Sequence, residues 1–297
     1  MRLFQKVEEA SYNFNDARKT IGEYLLERKE SIEDLSMEQI ANETFTSKAT
    51  LSRFAKGLGY EGWIDFSKEF VKEAKYIRDH FSDIDPNIPF EENDRISDIV
   101  SKLVTLQSES LKDTASLLRE KDVSIAGNNI LKSDRVVIFG MSPNTIIADL
   151  FKRKMETIGY LVIVAESDEG GMIARALNEN DCAIVVSYSG NNPDRIPMRY
   201  LNALKERNVR MIGITCDGDN YLRSQIRCCL SISSRERLYS KIGSFATEES
   251  LNLIFNVLFA YCFSQNYDEN FTKKIGDSKI LENRRQASLN SMKEGAE

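Results

Sequence analysis

One histidine, one tryptophan, five prolines and five cysteines in 297 residues leave the chain short of the usual tools of catalysis. The lone imidazole, His80, sits in a polar stretch. It cannot by itself build a metal site or a Ser-His-Asp triad, which removes most hydrolase and zinc chemistry. The cysteines, Cys182, Cys216, Cys228, Cys229 and Cys262, are odd in number, form no C-x-x-C pair and lie in apolar surroundings. They read as small core hydrophobes in a reducing compartment. No apolar run approaches the roughly 20 residues that span a bilayer. The stretch from Met1 to Asp16 has no signal-peptide core, so a cytoplasmic location is expected. Positive charge is also not in excess. Lys and Arg number 40 against 46 Asp and Glu, for a net charge of −6. That balance argues against a surface that coats nucleic acid or anionic membrane as a whole, and leaves room for a local basic patch.

What is present is ordinary for a globular chain: 41% hydrophobic and 29% charged residues. The length fits two domains. Residues 1–78 read as all helix, with apolar positions at helical spacing in Ala17 to Arg28, Ser36 to Asn42 and Ser47 to Leu58. Gly57 and Gly59 supply a stop. Trp63 to Ile77 reads as a further pair of short helices. Residues 79–94 carry Pro86, Pro89 and several acids without period, and read as a linker or an ordered crossing. Residues 95–265 form the second expected domain. It opens with helices from Arg95 to Leu118 and Val123 to Leu131. Five apolar runs then alternate with helical segments: Val136 to Phe139, Leu161 to Val164, Ala183 to Val186, Met211 to Ile214, and Cys228 to Ile232. One intervening helix is expected from Asp194 to Arg207. Such alternation predicts an α/β domain, a five-stranded parallel sheet flanked by helices. The segment 266–297 reads as a polar tail or surface helix.

Two features suggest chemistry. In LSMEQIANETFTSKATLSRFAKGLG, residues 35–59, two short helices are joined by a tight turn. Ser47 is placed to cap the second. Leu51, Phe54 and Leu58 face the core, which leaves Lys48, Ala49, Thr50, Ser52, Arg53 and Lys56 on the outer faces; Ser47, Lys48, Thr50, Ser52, Arg53 and Lys56 are the candidate DNA-binding residues. Three cations and no acid lie on that helix. Its N-terminal residues are placed to reach base edges, with nearby cations and hydroxyls on phosphates. A plain helical hairpin with a solvated basic face is the alternative. The turn, Glu43 to Thr46, has no glycine. A left-handed position there would be held by a residue with a side chain, at about 1–2 kcal/mol.

The second feature is a pair of strand-to-helix loops rich in small polar residues, Gly140-Met141-Ser142-Pro143-Asn144 and Ser187-Tyr188-Ser189-Gly190-Asn191-Asn192. Ligands of open parallel sheets sit beyond the carboxyl ends of the strands. Ser142, Asn144, Ser187, Ser189, Asn191 and Asn192, with free helix N–H groups, make a neutral cradle suited to phosphate. The competing reading is a pair of simple capped turns.

Together the two halves resemble the RpiR-type (MurR/RpiR) bacterial transcriptional regulators over roughly residues 1–265. The N-terminal likeness runs through SKATLSRFAKGLGYEGWIDF, and the C-terminal likeness through VVIFG, KRKMETIGY, DCAIVVSYSGNNPD and MIGITCDGDNYL. The resemblance implies a helix-turn-helix domain followed by a SIS (sugar isomerase) domain that binds a phosphosugar, with the phosphate on Ser187 and Ser189. A family threonine falls at Asn192. The usual Gly-x-Gly-x-Ser of the first loop has become Gly140-Met141-Ser142-Pro143-Asn144. The expected partners are a pseudo-palindromic operator DNA, read by a homodimer or homotetramer, and a phosphosugar effector. No cofactor, metal, membrane or catalytic residue is expected. A phosphosugar isomerase on the same scaffold is the alternative, with Glu166, Glu248 and Glu249 as the available carboxylates.

Overall fold

The helical N-terminal region owes its arrangement to a run of aromatic residues at core positions. The structure, a computed structural model, describes residues 3–233 and 235–282. It opens with α1 (Leu3–Asn13), α2 (Ala17–Arg28), a 3-10 turn (Lys29–Asp34), α3 (Met37–Glu43), α4 (Lys48–Gly57) and α5 (Trp63–His80). Phe66 is fully buried among Phe54, Tyr60, Trp63 and Phe70, with ring centroids 5.3–5.8 Å away. Phe4 of α1 stacks on Phe70 at 4.5 Å. Ile21, Leu25, Ile40, Leu51 and Ala55 complete this core. Where the sequence suggests a pair of short helices after Trp63, the chain forms one 18-residue helix. Trp63, Phe66, Phe70, Val71 and Ala74 share its buried side, so a single uninterrupted face spans the core. The helix also takes in His80, whose exposed ring stacks on Tyr76 at 4.0 Å.

The later elements are α6 (Ile96–Leu117), α7 (Glu120–Leu131), β1 (Val136–Phe139), α8 (Asn144–Glu156), β2 (Val162–Ala165), α9 (Gly170–Ala176), β3 (Cys182–Val186), α10 (Leu201–Glu206), β4 (Arg210–Cys216), α11 (Tyr221–Gln225), β5 (Cys228–Ile232), α12 (Phe245–Gln265) and α13 (Tyr267–Leu281). The strands form one sheet in the order β2-β1-β3-β4-β5. The pairs β1–β2, β1–β3 and β3–β4 are parallel. Every residue of β1, β3 and β5 is buried. That is why these runs are continuously apolar rather than alternating. The expected helix from Asp194 to Arg207 is shorter: a 3-10 turn (Met198–Tyr200) leads into α10. Pro193 and Pro197 lack the N–H that an earlier start would need. Of the expected tail, residues 267–281 are helical, and 283–297 lie outside the described residues. No helix among the described residues is long and apolar enough to cross a membrane.

The described residues gather into two compact units. One runs up to Leu117 and takes in Cys216–Asn220 and Ser231–Ser250; the other holds Leu118–Thr215, Tyr221–Leu230 and the chain from Leu251 onward. Residues 79–94, read from sequence as a linker or an ordered crossing, are held within the first unit. The Ser82 N–H donates to the Glu109 carboxylate at 2.6 Å. The Arg237 N–H donates to Asn87 Oδ1 at 2.6 Å, and the Ile242 N–H donates to the Asn87 carbonyl at 2.9 Å. The Arg235 guanidinium lies 3.9 Å over the Phe81 ring and pairs with Glu109.

In the second unit, Arg135 at the foot of β1 clamps Asp181 through two hydrogen bonds of 2.9 and 2.7 Å, and the Asn178 N–H adds a third. Burial pushes the Asp181 carboxyl up, but the bonds from Arg135 and Asn178 outweigh it and hold the group below its usual value. A lowered folded pKa stabilises the protein above the unfolded value of about 3.9, and that contribution is lost as pH falls through the folded value. Arg135→Met leaves a buried carboxylate without its cation. It is expected to cost about 1–3 kcal/mol at neutral pH, moderated because the arginine is half exposed. Urea melts of both proteins should converge as the pH falls below the range of an unfolded aspartate.

Candidate functional site

The first candidate surface is α4. Ser36 and Gln39 close a reciprocal capping box on α3. Ser47 caps α4 by accepting the Thr50 N–H at 3.2 Å, and its hydroxyl lies 2.9 Å from that of Thr50. Leu51, Phe54 and Ala55 are buried. Ser47, Lys48, Arg53 and Lys56 are exposed, while Thr50 and Ser52 are half-buried. Lys48, Arg53 and Lys56 therefore point to solvent from a helix anchored by its apolar side, with Ser47 at its cap. Arg53 donates to the Thr50 hydroxyl at 3.3 Å. The chain leaves α4 through Gly59, whose φ of +93° suits glycine.

Lys48 is not unopposed. Its ammonium lies 2.8 Å from Glu38 of α3, and this hydrogen bond holds the Glu38 carboxyl below its ordinary value. Sequence reading confined to α4 misses this partner, because it comes from the preceding helix. Both groups are exposed, so the pair contributes little to stability. The turn between α3 and α4 adopts the left-handed position expected for it. Phe45 holds φ +53°, with its ring 94% exposed.

The second candidate site lies where the strand order reverses. From β1 the chain passes outward to β2 and then back across to β3, so the gap between the carboxyl ends of β1 and β3 is a topological switch point. Phe139 pairs with Val185 across that gap, and both polar loops leave from it side by side. A Cβ on Gly140 would meet Val186 Cβ at 3.7 Å, which measures how closely the loops start.

The second loop is well braced. The Ser187 N–H donates to the Ile214 carbonyl at 3.0 Å, and the Ser187 hydroxyl accepts the Gly190 N–H at 3.3 Å. Gly190 takes φ +63°, which bends the chain back over that hydroxyl. The Leu222 N–H donates to the Gly190 carbonyl at 2.8 Å, and the Tyr221 N–H to Asn191 Oδ1 at 3.4 Å. Asn192 spends its side-chain oxygen on the Asp194 N–H at 3.1 Å. Ser187 and Ser189 are half-buried, while Asn191 and Asn192 are exposed. In the first loop Ser142 is exposed and Asn144 is the opening residue of α8. Pro143, just before it, offers no side-chain cap; the Asn144 N–H donates to the Met141 carbonyl at 2.9 Å and the Ile146 N–H to the Pro143 carbonyl at 3.0 Å, so the turn itself closes the start of α8. The two loops leave adjacent parallel strands, so Ser187 and Ser189 on one, and Asn144 at the start of α8 on the other, lie at the same end of the sheet.

A third carboxylate cluster concerns the possibility of catalysis. Glu236 is buried and accepts the Ala246 N–H at 2.6 Å, the Thr247 N–H at 3.2 Å and the Thr247 hydroxyl at 2.8 Å, with Lys241 at 3.0 Å. Glu236, ten and eleven residues ahead of these donors, thus satisfies the Ala246 and Thr247 N–H groups in the first turn of α12. Partial desolvation, followed by the Glu236 charge, pushes the Glu248 carboxyl up. All five cysteines are buried. Burial pushes the thiols of Cys182, Cys228 and Cys262 up to about 12, so they carry no thiolate near neutrality.

An anchored basic helix-turn-helix, joined to a doubly wound sheet with two polar loops at its switch point, fits a class: DNA-binding regulators with a small-molecule-binding domain. Comparison with known proteins specifies it. Residues 1–75 match the helix-turn-helix domain of the rpiR family, and residues 129–250 match the SIS domain. The chain belongs to the RpiR-type transcriptional regulators, an rpiR-family helix-turn-helix followed by a SIS domain. It is 23% identical to an uncharacterised HTH-type transcriptional regulator of Clostridium perfringens, over 95% of this chain and 100% of the relative. Its fold is similar to that of the Vibrio vulnificus NanR protein complexed with ManNAc-6P, at 19% identity and a TM-score of 0.57, over 96% of this chain and 100% of that one. It is also similar to a putative phosphosugar isomerase involved in capsule formation from Bacteroides fragilis, at 17% identity and a TM-score of 0.51, over 60% of this chain and 97% of that one.

Proposed function

We propose that this regulator binds a phosphorylated sugar at the β1/β3 switch point and that the bound sugar alters its grip on an operator. The observation that carries the proposal is the pair of adjacent loops at that point, with Ser187 and Ser189 half-buried on one and the N-terminus of α8 on the other. The likeness to a regulator complexed with ManNAc-6P supports a sugar phosphate as the ligand class. Asn144, where the family pattern has serine, donates through an amide on a longer arm. Ser142, Asn191 and Asn192 are assigned to the rim of the same proposed site.

The protein works as a homo-oligomer, with two α4 helices reading the half-sites of a pseudo-palindromic operator. Ser47, Lys48, Thr50, Ser52, Arg53 and Lys56 are assigned to DNA. Ligand and DNA are coupled by about 1–3 kcal/mol, a 5–150-fold change in operator affinity. The protein acts in the cytoplasm and performs no chemistry on its ligand.

A thermal-shift series tests the ligand assignment, using hexose and amino-sugar phosphates beside the unphosphorylated sugars and inorganic phosphate. One sugar phosphate at a hundred times its Kd should add about 2.7 kcal/mol of stability. No response across the series would sink the phosphosugar reading. For the DNA face, Arg53→Ala is expected to weaken operator binding about tenfold and to lower the slope of log K against log salt by about one. Fluorescence anisotropy at several salt concentrations measures both.

The isomerase reading has one observation in its favour, the raised Glu248 carboxyl, which would suit proton transfer. Against it, residues 95–265 contain no histidine to share the acid–base work. NMR of a sugar phosphate incubated with the protein should show no new isomer.

A further inference from the structure

We propose that Phe45 contacts operator DNA directly, its ring packing on the C5-methyl of a thymine at the edge of the groove that α4 enters. The inference rests on the DNA-binding reading above and adds to it an apolar, sequence-reading contact from the turn.

Two anomalies coincide at this residue. Phe45 holds a left-handed backbone, φ +53°, which a glycine adopts without strain. The other described non-glycine residues with positive φ are Lys29 and Asn208, both polar. Phe45 is also the most exposed large hydrophobic side chain among the described residues, at 94%. The fold therefore gains nothing from this ring and bears the cost of its backbone.

The backbone around it is firmly set. The Phe45 N–H donates to the Asn42 carbonyl at 3.1 Å and the Thr46 N–H to the Ala41 carbonyl at 2.8 Å. The buried Thr44 hydroxyl donates to the Ile40 carbonyl at 2.7 Å and lies 2.9 Å from the Thr46 hydroxyl. The ring is thus presented by a rigid turn, two residues ahead of the Ser47 cap and three ahead of Lys48. A pre-set aromatic loses little freedom on binding.

The position selects the partner. Its neighbours in sequence are the cap and the cations of a helix whose exposed side carries Lys48, Arg53 and Lys56 without an acid on that helix. A protein partner suited to that surface would be acidic, and an isolated ring beside it would add little apolar area. DNA supplies both needs at once: phosphates for the cations and thymine methyl groups as apolar features of the major-groove edge.

The test begins with duplexes selected from a random library by the full-length protein. Affinities of wild type, Phe45→Gly and Arg53→Ala are then measured on the selected duplex, and again with each thymine in turn replaced by deoxyuridine, which removes only the methyl. Phe45→Gly should weaken binding about fivefold or more while leaving the salt slope unchanged. It should also raise the melting temperature of the free protein by relieving the left-handed strain. One deoxyuridine should weaken wild type by a similar factor and leave Phe45→Gly unaffected. If Phe45→Gly binds like wild type while Arg53→Ala loses affinity, the Phe45 contact is overturned and the DNA reading stands. If no deoxyuridine distinguishes wild type from Phe45→Gly, the methyl contact is overturned. A change in sedimentation on Phe45→Gly would place the ring against a second copy and overturn the proposal. Failure of wild type to enrich any duplex would overturn the DNA reading itself.

Discussion

Replacing Ser187 and Ser189 together with alanine is expected to erase the thermal stabilisation given by the sugar phosphate. DNA affinity in the absence of ligand should be unchanged. A hydrogen bond to a charged oxygen is worth about 1.5–3 kcal/mol. Losing two removes roughly 3–6 kcal/mol, which weakens a micromolar ligand to between about 0.2 mM and tens of millimolar. At fixed ligand concentration the linkage gain then falls to nearly nothing. The backbone ties of the loop survive the change. Ser187 contributes one 3.3 Å bond to the Gly190 N–H, and the loop keeps its ties from Ser187 N–H to Ile214 and from Leu222 to Gly190. Isothermal titration and thermal shift on the double variant check this. Undiminished stabilisation would move the ligand away from the switch point.

The second large effect is on stability. Phe66→Ala is expected to cost about 3–5 kcal/mol, the usual range for truncating a buried ring. The site offers little chance of collapse. Phe54, Tyr60, Trp63 and Phe70 all abut the ring, and aromatic contacts add about 0.5–1.5 kcal/mol each beyond area burial. Leu51, Phe54 and Ala55 seat α4 in the same core. The loss should therefore appear twice: as a lower urea midpoint by circular dichroism, and as lost operator binding at temperatures where wild type still binds. A variant that melts within 1 kcal/mol of wild type would show that this core repacks freely.

Much of this architecture is legible in the chain because burial on both faces of a sheet leaves a plain mark. Val136 to Phe139 and Cys228 to Ile232 are read as strands with their observed bounds, and the other three shift by one or two residues at an end. The two polar loops are legible for the same reason, since each follows such a strand. Their adjacency is not, because it depends on β3 lying next to β1 rather than next to β2. Trp63 to His80 looks broken in sequence because polar residues interrupt its apolar ones, yet one continuous helix buries them on one side. Long-range partners leave no local trace. Glu38 meets Lys48 from another helix, and Glu236 caps α12 from a preceding loop. Phe45 is legible as an absence, the missing glycine in a turn that calls for one.

The Trp63 indole, packed at 5.3 Å against Phe66, is the protein's sole tryptophan. Excited at 295 nm, where tyrosine absorbs little, the molecule emits from its DNA-reading core alone. A titration followed by that emission reports on the helical region without labelling, while the parallel sheet stays dark. Comparing it with far-ultraviolet dichroism, which sees both, would show whether the two halves of the chain lose their structure together or in turn.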